Sequence, residues 1–460
     1  MNYFSTRDQS LNLSFEEIFF KGLSNDGGLF LPKQFPLFSK NELEEFKNFS
    51  FEEMSFKIFS LFTGDTFKPE ELNNIINKAY SSFRNKNIVD IKKIKHISYV
   101  QLHHGPTLAF KDIAMQVLGQ MYEFLLKDGR RKVNLITATS GDTGAAAIDA
   151  VQGKENINIF VLHPNNKISD VQRKLMTTYD AANVHNIAIE GSFDDCQKIV
   201  KDLFVDHKFA SQINMSGVNS INWARIVAQV VYYFYIFYKF NPEFKPIVVS
   251  VPTGNFGDIY AGYVAKQLGL NVKELIVATN QNNILERCIQ TGEYKPLAVE
   301  QSLSPSMDIQ VASNFERILY EICENNSEQL KNMMDGLKNQ GEIILNQNQI
   351  KKLQDNFSAS SCNEKETLAI IKNIFIQHHY VIDPHTATAV KPLNDEKYFN
   401  EACFCFETAH PAKFPKAITK AIDQYPELPE EFERIKDKDE KFDIIENDIN
   451  SIKKYILGKI

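Results

Sequence analysis

Lys111 stands in the segment His104-Gly-Pro-Thr-Leu-Ala-Phe-Lys-Asp112, between an aromatic and an acid, after a Gly-Pro turn and the apolar pair Leu108-Ala109. Ile113, Val117, Leu118, Met121, Phe124 and Leu125 then recur at helical spacing, so this lysine opens an amphipathic helix. A lysine carried into an apolar crevice has its charged form disfavoured, and the amine becomes available as a nucleophile or Schiff-base partner. A helix-start lysine with a snorkelling stem gives the same local pattern and is the commoner case. The choice between them rests on other segments.

Ser140-Gly-Asp-Thr-Gly144 follows a strand ending near Thr139 and precedes Ala145-Ala-Ala-Ile148. Glycine lets backbone approach a ligand closely, and a helix N-terminus offers unpaired N–H donors to a carboxylate or phosphate. An ordinary capped turn has the same appearance. Pro252-Thr-Gly-Asn-Phe-Gly-Asp258 repeats the arrangement between an apolar run and a helix. It has neither the G-x-G-x-x-G nor the G-x-x-x-x-G-K-[ST] pattern, yet its glycines can form an anion-binding nest. Two such loops together with Lys111 suggest a small, multiply anionic ligand. Asn219-Ser-Ile-Asn-Trp-Ala-Arg225 holds the only tryptophan. Its arginine opens a helix that is otherwise apolar through Tyr238, so it needs an anion or a buried ion-pair partner. His385, in Asp383-Pro-His-Thr386, reads as a satisfied core histidine.

The elements that position these residues alternate. Apolar runs at Val133–Ala138, Ile157–Leu162, Ile187–Ile189, Ile247–Val251 and Leu275–Ala278 are separated by helical patterns such as Ala145–Val151, Phe193–Phe204 and Ile259–Leu268. That alternation predicts α/β layering around largely parallel sheets, with both loops at carboxyl ends of strands, where open sheets bind ligands. From Phe15 to about Tyr99 the pattern is helical, and the tail after Phe414 is charged with mixed sign. A length of 460 residues suggests about three structural units. Apolar content of 43%, charged content of 24% and a net charge of −7 fit a soluble globular protein and argue against a nucleic-acid or anionic-membrane binder. The first ten residues contain no apolar signal region. Ile226–Tyr238 is too short to span a bilayer and predicts a buried or interface helix. Six scattered cysteines point to free thiols in a reducing cytoplasm, with no metal site.

Taken together, the segments resemble the threonine synthases, pyridoxal-phosphate enzymes of fold type II. The matching segments are Gly22-Leu, Asp26–Pro32, His104–Asp112, Thr139–Gly144, Asn219–Arg225, Pro252–Asp258, Ser304–Ile309, Ser313–Arg317, Asp383–Thr386 and Thr408–Phe414. They occur in family order over nearly the whole chain, and Asp26-Gly-Gly-Leu and Thr408-Ala-His-Pro-Ala-Lys-Phe414 point to the longer branch with its own N-terminal domain. The resemblance implies a tryptophan synthase β-like α/β fold of open, largely parallel sheets with helices on both faces, plus a mainly helical N-terminal domain. The implied division is 1–95, a catalytic region 96–412 in two subdomains, and a helical tail 413–460.

It further implies that Lys111 holds pyridoxal 5'-phosphate as a Schiff base and shuttles protons. Gly254, Asn255, Phe256, Gly257 and Asp258 would take the cofactor phosphate, and Thr408 the pyridine nitrogen. Thr107, Ser140, Gly141, Asp142 and Thr143 would contact the substrate, with Asn219, Ser220 and Arg225 on its phosphate. The implied reaction converts O-phospho-L-homoserine and water to L-threonine and phosphate, without a metal, in a cytoplasmic monomer or homodimer. The alternatives are a related lyase, such as a serine or threonine dehydratase or an amino-alcohol phospholyase, and a catalytically inactive binding protein. Asp142 stands where related fold-type-II enzymes often carry Asn, and an ionised Asp only accepts hydrogen bonds. Glu407, where the family usually shows a small residue, either points away from the ring or adds negative charge beside its nitrogen.

Overall fold

The five apolar runs divide between two sheets. In the computed structural model, which describes residues 1–460 except the side chain of Glu431, a five-stranded sheet has the spatial order Asp443–Ile445, Val184–Ile189, Ile157–Pro164, Val133–Ala138, Met215–Ser216. All its strands run parallel, with Val133 opposite Ile157. A six-stranded sheet has the order Phe357–Ser361, Val272–Thr279, Ile247–Pro252, Ala402–Glu407, Ile97–Gln101, Asp90–Ile94, parallel except for its last strand. Successive residues of these strands enter different apolar clusters. Val248 and Ile276 pack with Ile371 and Val390, whereas Val249 and Val277 pack with Tyr233 and Ile259. A strand covered by helices on both faces has no wet side, which is why these runs are continuously apolar instead of alternating.

The helix Trp223–Phe240 is buried along almost its whole length and packs against the helices Phe51–Thr63, Lys111–Leu125 and Gly257–Gln267. Its all-round apolar character belongs to a core helix, as its length predicted. No helix among the described residues is long and apolar enough to cross a membrane. All six cysteines are buried free thiols.

The N-terminal unit is less purely helical than its pattern suggests. Its helices start at the capping boxes Ser14/Glu17, Ser39/Glu42 and Ser50/Glu53. Tyr3–Ser5, Asp8–Leu13 and Phe30–Pro32, however, form a three-stranded antiparallel ribbon. Residues 90–101 do not belong to a helical run at all. They form a hairpin on the edge of the six-stranded sheet, so a boundary at 95 falls in the turn between two paired strands. Lys92 and Lys93 on the outermost strand mask its pattern, as charges on edge strands do. The tail also carries a strand, Asp443–Ile445, and its last helix inserts Ile452 and Ile456 under the five-stranded sheet.

Candidate active site

The carboxyl ends of strands Val133–Ala138, Ile247–Pro252 and Ala402–Glu407 open onto one cavity of about 420 Å³. Lys111 reaches it because two segments about 300 residues apart are pinned together by backbone. The Phe110 amide donates to the Thr408 carbonyl at 2.9 Å, and the His410 amide to the Leu108 carbonyl at 3.0 Å. Leu108 adopts a left-handed φ of 64° to make this junction, a strained setting for a branched side chain. Lys111 and Thr408 therefore share the cavity wall.

Asp142, at the first position of its helix, is a buried carboxylate held between two lysines. Its Oδ1 accepts from Lys413 Nζ at 2.8 Å and Gln172 Nε2 at 3.1 Å, and its Oδ2 lies 3.4 Å from Lys111 Nζ and from Ser306 Oγ. Burial would raise this carboxyl, but Lys413 and Lys111 outweigh it and hold Asp142 well below the usual carboxylate range. Burial also pushes the Lys111 amine down. Asp142 opposes that shift, and Lys413 and Arg225 reinforce it.

On the loop Pro252–Asp258, Phe256 turns through a left-handed φ of 64° just before the helix. Asn314 clamps the Asn255 carbonyl through its amide at 3.0 Å and its side chain at 3.1 Å. The amides of Gly254, Asn255, Phe256 and Gly257 find no acceptor among the described residues. A methyl group on Gly254 would lie 2.7 Å from the Ser306 carbonyl oxygen, so only glycine brings the two loops this close. Asp258 turns inward, where Oδ1 accepts from Tyr232 at 2.6 Å and Tyr233 at 3.2 Å while Oδ2 has no partner. Burial raises its carboxyl to about 7 against those two bonds. Arg225 is 2% exposed, donates from Nη1 to the Val218 carbonyl at 3.1 Å, and leaves Nε without a partner. No carboxylate pairs with it among the described residues, and burial lowers it to about 10.

Comparison with known proteins accounts for this arrangement. Residues 2–80 match the family described as threonine synthase N terminus, 92–402 the pyridoxal-phosphate dependent enzymes, and 386–456 the threonine synthase C-terminal family. The threonine synthase of Pseudomonas aeruginosa is 37% identical over 99% of this chain and 98% of its own, and that of Schizosaccharomyces pombe 39% over 95% and 94%. The crystal structure of PLP-bound threonine synthase from Brucella melitensis superposes with a TM-score of 0.95 at 39% identity, covering 100% of this chain and 99% of that one. The chain belongs to the threonine synthase family.

Pyridoxal phosphate is accordingly the cofactor of this threonine synthase family member, and the cavity suits it. An amine with a lowered proton affinity shares the cavity with four unpartnered N–H groups at a helix start, a cradle that a Cβ on Gly254 would fill. Of the residues singled out from sequence, Lys111, Ser140, Asp142, Thr143, Asn219, Ser220, Arg225, Gly254 to Asp258 and Thr408 line the cavity. Thr107 and Gly141 do not. The Thr107 amide and hydroxyl both bind Asp112, at 2.8 and 2.6 Å, and its carbonyl accepts from Lys413. Gly141, at φ 132°, turns the backbone behind Gln172. Glu407 points away from the cavity, accepting from Tyr380 Oη at 2.7 Å on the far side of the strand.

Three further residues hold Asp142: Lys413 and Ser306, which lie in the matching segments Thr408–Phe414 and Ser304–Ile309 but received no role there, and Gln172, which no motif includes. His385 is a satisfied core histidine, as read, but it also reaches the cavity wall. The Ser306 amide donates to its Nε2 at 3.3 Å, so Nδ1 carries the proton given to Asp383 at 2.8 Å.

Proposed function

We propose that the chain is a threonine synthase that converts O-phospho-L-homoserine and water to L-threonine and inorganic phosphate. The observation that carries this reading is the pair of anion stations flanking one amine: the amide nest of Gly254 to Gly257 and the buried, carboxylate-free Arg225. A cofactor phosphate needs one station, and the second calls for a substrate that is itself phosphorylated. Bound pyridoxal phosphate supplies an electron sink for carbanion chemistry at the substrate's Cα and Cβ.

The chain's own residues supply the rest. Ser140 and Thr143, with unpaired amides at the start of the Asp142 helix, hold the substrate carboxylate. Lys111, whose amine burial tunes towards neutrality, takes the proton from Cα and moves protons at Cβ. Arg225, with Asn219 and Ser220, holds the phosphate as it departs from Cγ. Water then adds at Cβ. Thr408 offers a hydroxyl where an acid would enforce protonation of the pyridine nitrogen, so more of the proton work falls to Lys111. The test is to supply pyridoxal phosphate and O-phosphohomoserine and to quantify phosphate, threonine and 2-oxobutanoate together. Equal phosphate and threonine with little keto acid is expected; phosphate without threonine refutes the reading.

A further inference from the structure

Lys413 is 0% exposed and lies outside the cavity lining, yet it carries a charged group into the interior. Burying an ammonium is costly unless it is paired, and an apolar side chain of similar length would fill the space without that cost. Its partners show where the charge is directed. Nζ donates to the Thr107 carbonyl at 2.8 Å and to Asp142 Oδ1 at 2.8 Å. Lys111 holds the other oxygen of the same carboxylate, at the longer distance of 3.4 Å. The strong, short contact thus goes to the lysine outside the cavity wall, and the weak one to the lysine inside it.

We propose that Lys413 is a positioning residue: its buried ammonium occupies Asp142, so that the carboxylate orients Lys111 without locking it as an ammonium. An Asp142 paired with Lys111 alone would fix the proton on an amine that has to give it up and take it back. Balanced by Lys413, the carboxylate still aims the amine, with Gln172 and Ser306 fixing its plane. The charged and titratable groups around Lys111 are Asp142, Lys413, Arg225 and Asp258, with His385 and its partner Asp383 behind Asp142. Lys413 and Arg225 both act to free the amine. Only Lys413 also sits on its counter-ion.

The inference rests on Lys111 being the reacting amine, and its test needs no turnover. In the cofactor-free full-length chain, the acylation of Lys111 by trace acetic anhydride is followed against pH by peptide mass spectrometry. Lys413→Met and Lys413→Arg are compared with the parent, each verified by a cooperative melt. Two unit charges about 5 Å apart at an effective dielectric constant near 20 correspond to roughly 2 pH units. Lys413→Met is therefore expected to raise the Lys111 midpoint by about 1–2 units, and Lys413→Arg to leave it nearly unmoved. A folded Lys413→Met with the parent midpoint overturns the inference. Lys413→Gln, which keeps a donor towards the Thr107 carbonyl but no charge, gives the same reading if the methionine variant does not fold. A parent midpoint at the ordinary lysine value of 10.5 would instead refute Lys111 as a tuned amine.

Discussion

Replacing Gly254 with alanine tests whether the loop at Pro252–Asp258 works as an anion cradle. The added methyl would lie 2.7 Å from the Ser306 carbonyl oxygen, 3.0 Å from Ile309 Cδ1 and 3.3 Å from Met307 Cα. The first contact is well inside the ~3.3–3.6 Å of a close carbon–oxygen approach. The obstacle is backbone, held in a 3₁₀ turn by the Met307 amide on the Ser304 carbonyl at 2.9 Å, so it cannot rotate aside as a side chain would. The two loops must part by roughly half an ångström, which opens the nest beyond good N–H···O geometry. Overpacking of this kind costs about 1–3 kcal/mol. Expressed at the nest, that is a rise of about 5- to 150-fold in the Kd for pyridoxal phosphate. Trp223, the only tryptophan, lies in the helix that carries Arg225, so its fluorescence reports the titration of cofactor-free protein. A Gly254→Ala protein with the parent Kd and melting temperature would refute the reasoning.

Arg225→Gln removes the second anion station while keeping a polar side chain. The KM for O-phosphohomoserine should rise about 10- to 100-fold with the Kd for pyridoxal phosphate unchanged, from phosphate-release kinetics and the Trp223 titration; cofactor loss would place Arg225 at the wrong phosphate. Arg317, 0% exposed, donates to the carbonyls of Phe30 (3.2 and 3.3 Å) and Ile221 (2.7 Å) and to Asn314. Arg317→Met should cost about 3 kcal/mol by urea unfolding, because several buried acceptors lose their donor; a cost below ~1 kcal/mol would show that the tie is dispensable. His163, 1% exposed, is pushed down to about 4 by burial, which outweighs a weak contact with the Pro164 backbone. The unfolded chain takes up that proton from about pH 6.5 and the folded one only near pH 4, so its contribution is intact above 6.5 and lost as the pH falls through that window, by up to about 3 kcal/mol. Urea midpoints between pH 4 and 7.5 should fall less steeply for His163→Phe; equal slopes would dismiss this histidine as a source of acid lability.

What could be read from the sequence was local. The run Val133–Ala138 is a strand with those same limits, and the loops at 140–144 and 252–258 stand at strand ends because Gly, Ser and Asp after an apolar run have few other uses. The strand Ala402–Glu407 is not among the apolar runs read from the sequence, although all its residues from Cys403 on are buried. Phe357–Ser361 looks like a polar turn and becomes a strand only through pairing with Leu275–Thr279, a tertiary override of composition. Lys413 did leave a signal. It sits between Ala412 and Phe414 much as Lys111 follows Ala109 and Phe110, so the argument that singled out one lysine applies to both. Gln172 left none and Ser306 only its place in the matching segment Ser304–Ile309, because their roles arise only where three distant segments meet at Asp142.

The N-terminal unit helps to build the cavity for a reason rooted in helix ends. The last carbonyls of an α-helix have no partner within it. Those of Phe19 and Phe20, in the helix Phe15–Lys21, are met from outside by Asn222 Nδ2 at 3.0 Å and Ser216 Oγ at 2.7 Å. Asn222 is also the N-cap of the helix that carries Arg225, its Oδ1 accepting from the Ala224 amide at 3.0 Å. One asparagine therefore ends one helix and begins the other, and Lys21, Gly22 and Leu23 emerge from that junction onto the cavity wall. Undocking the N-terminal helix would strand two buried carbonyls and free the residue that orients Arg225. The position of Arg225, the second anion station of the proposed function, is thus set as much by the N-terminal unit as by the sheets beside Lys111.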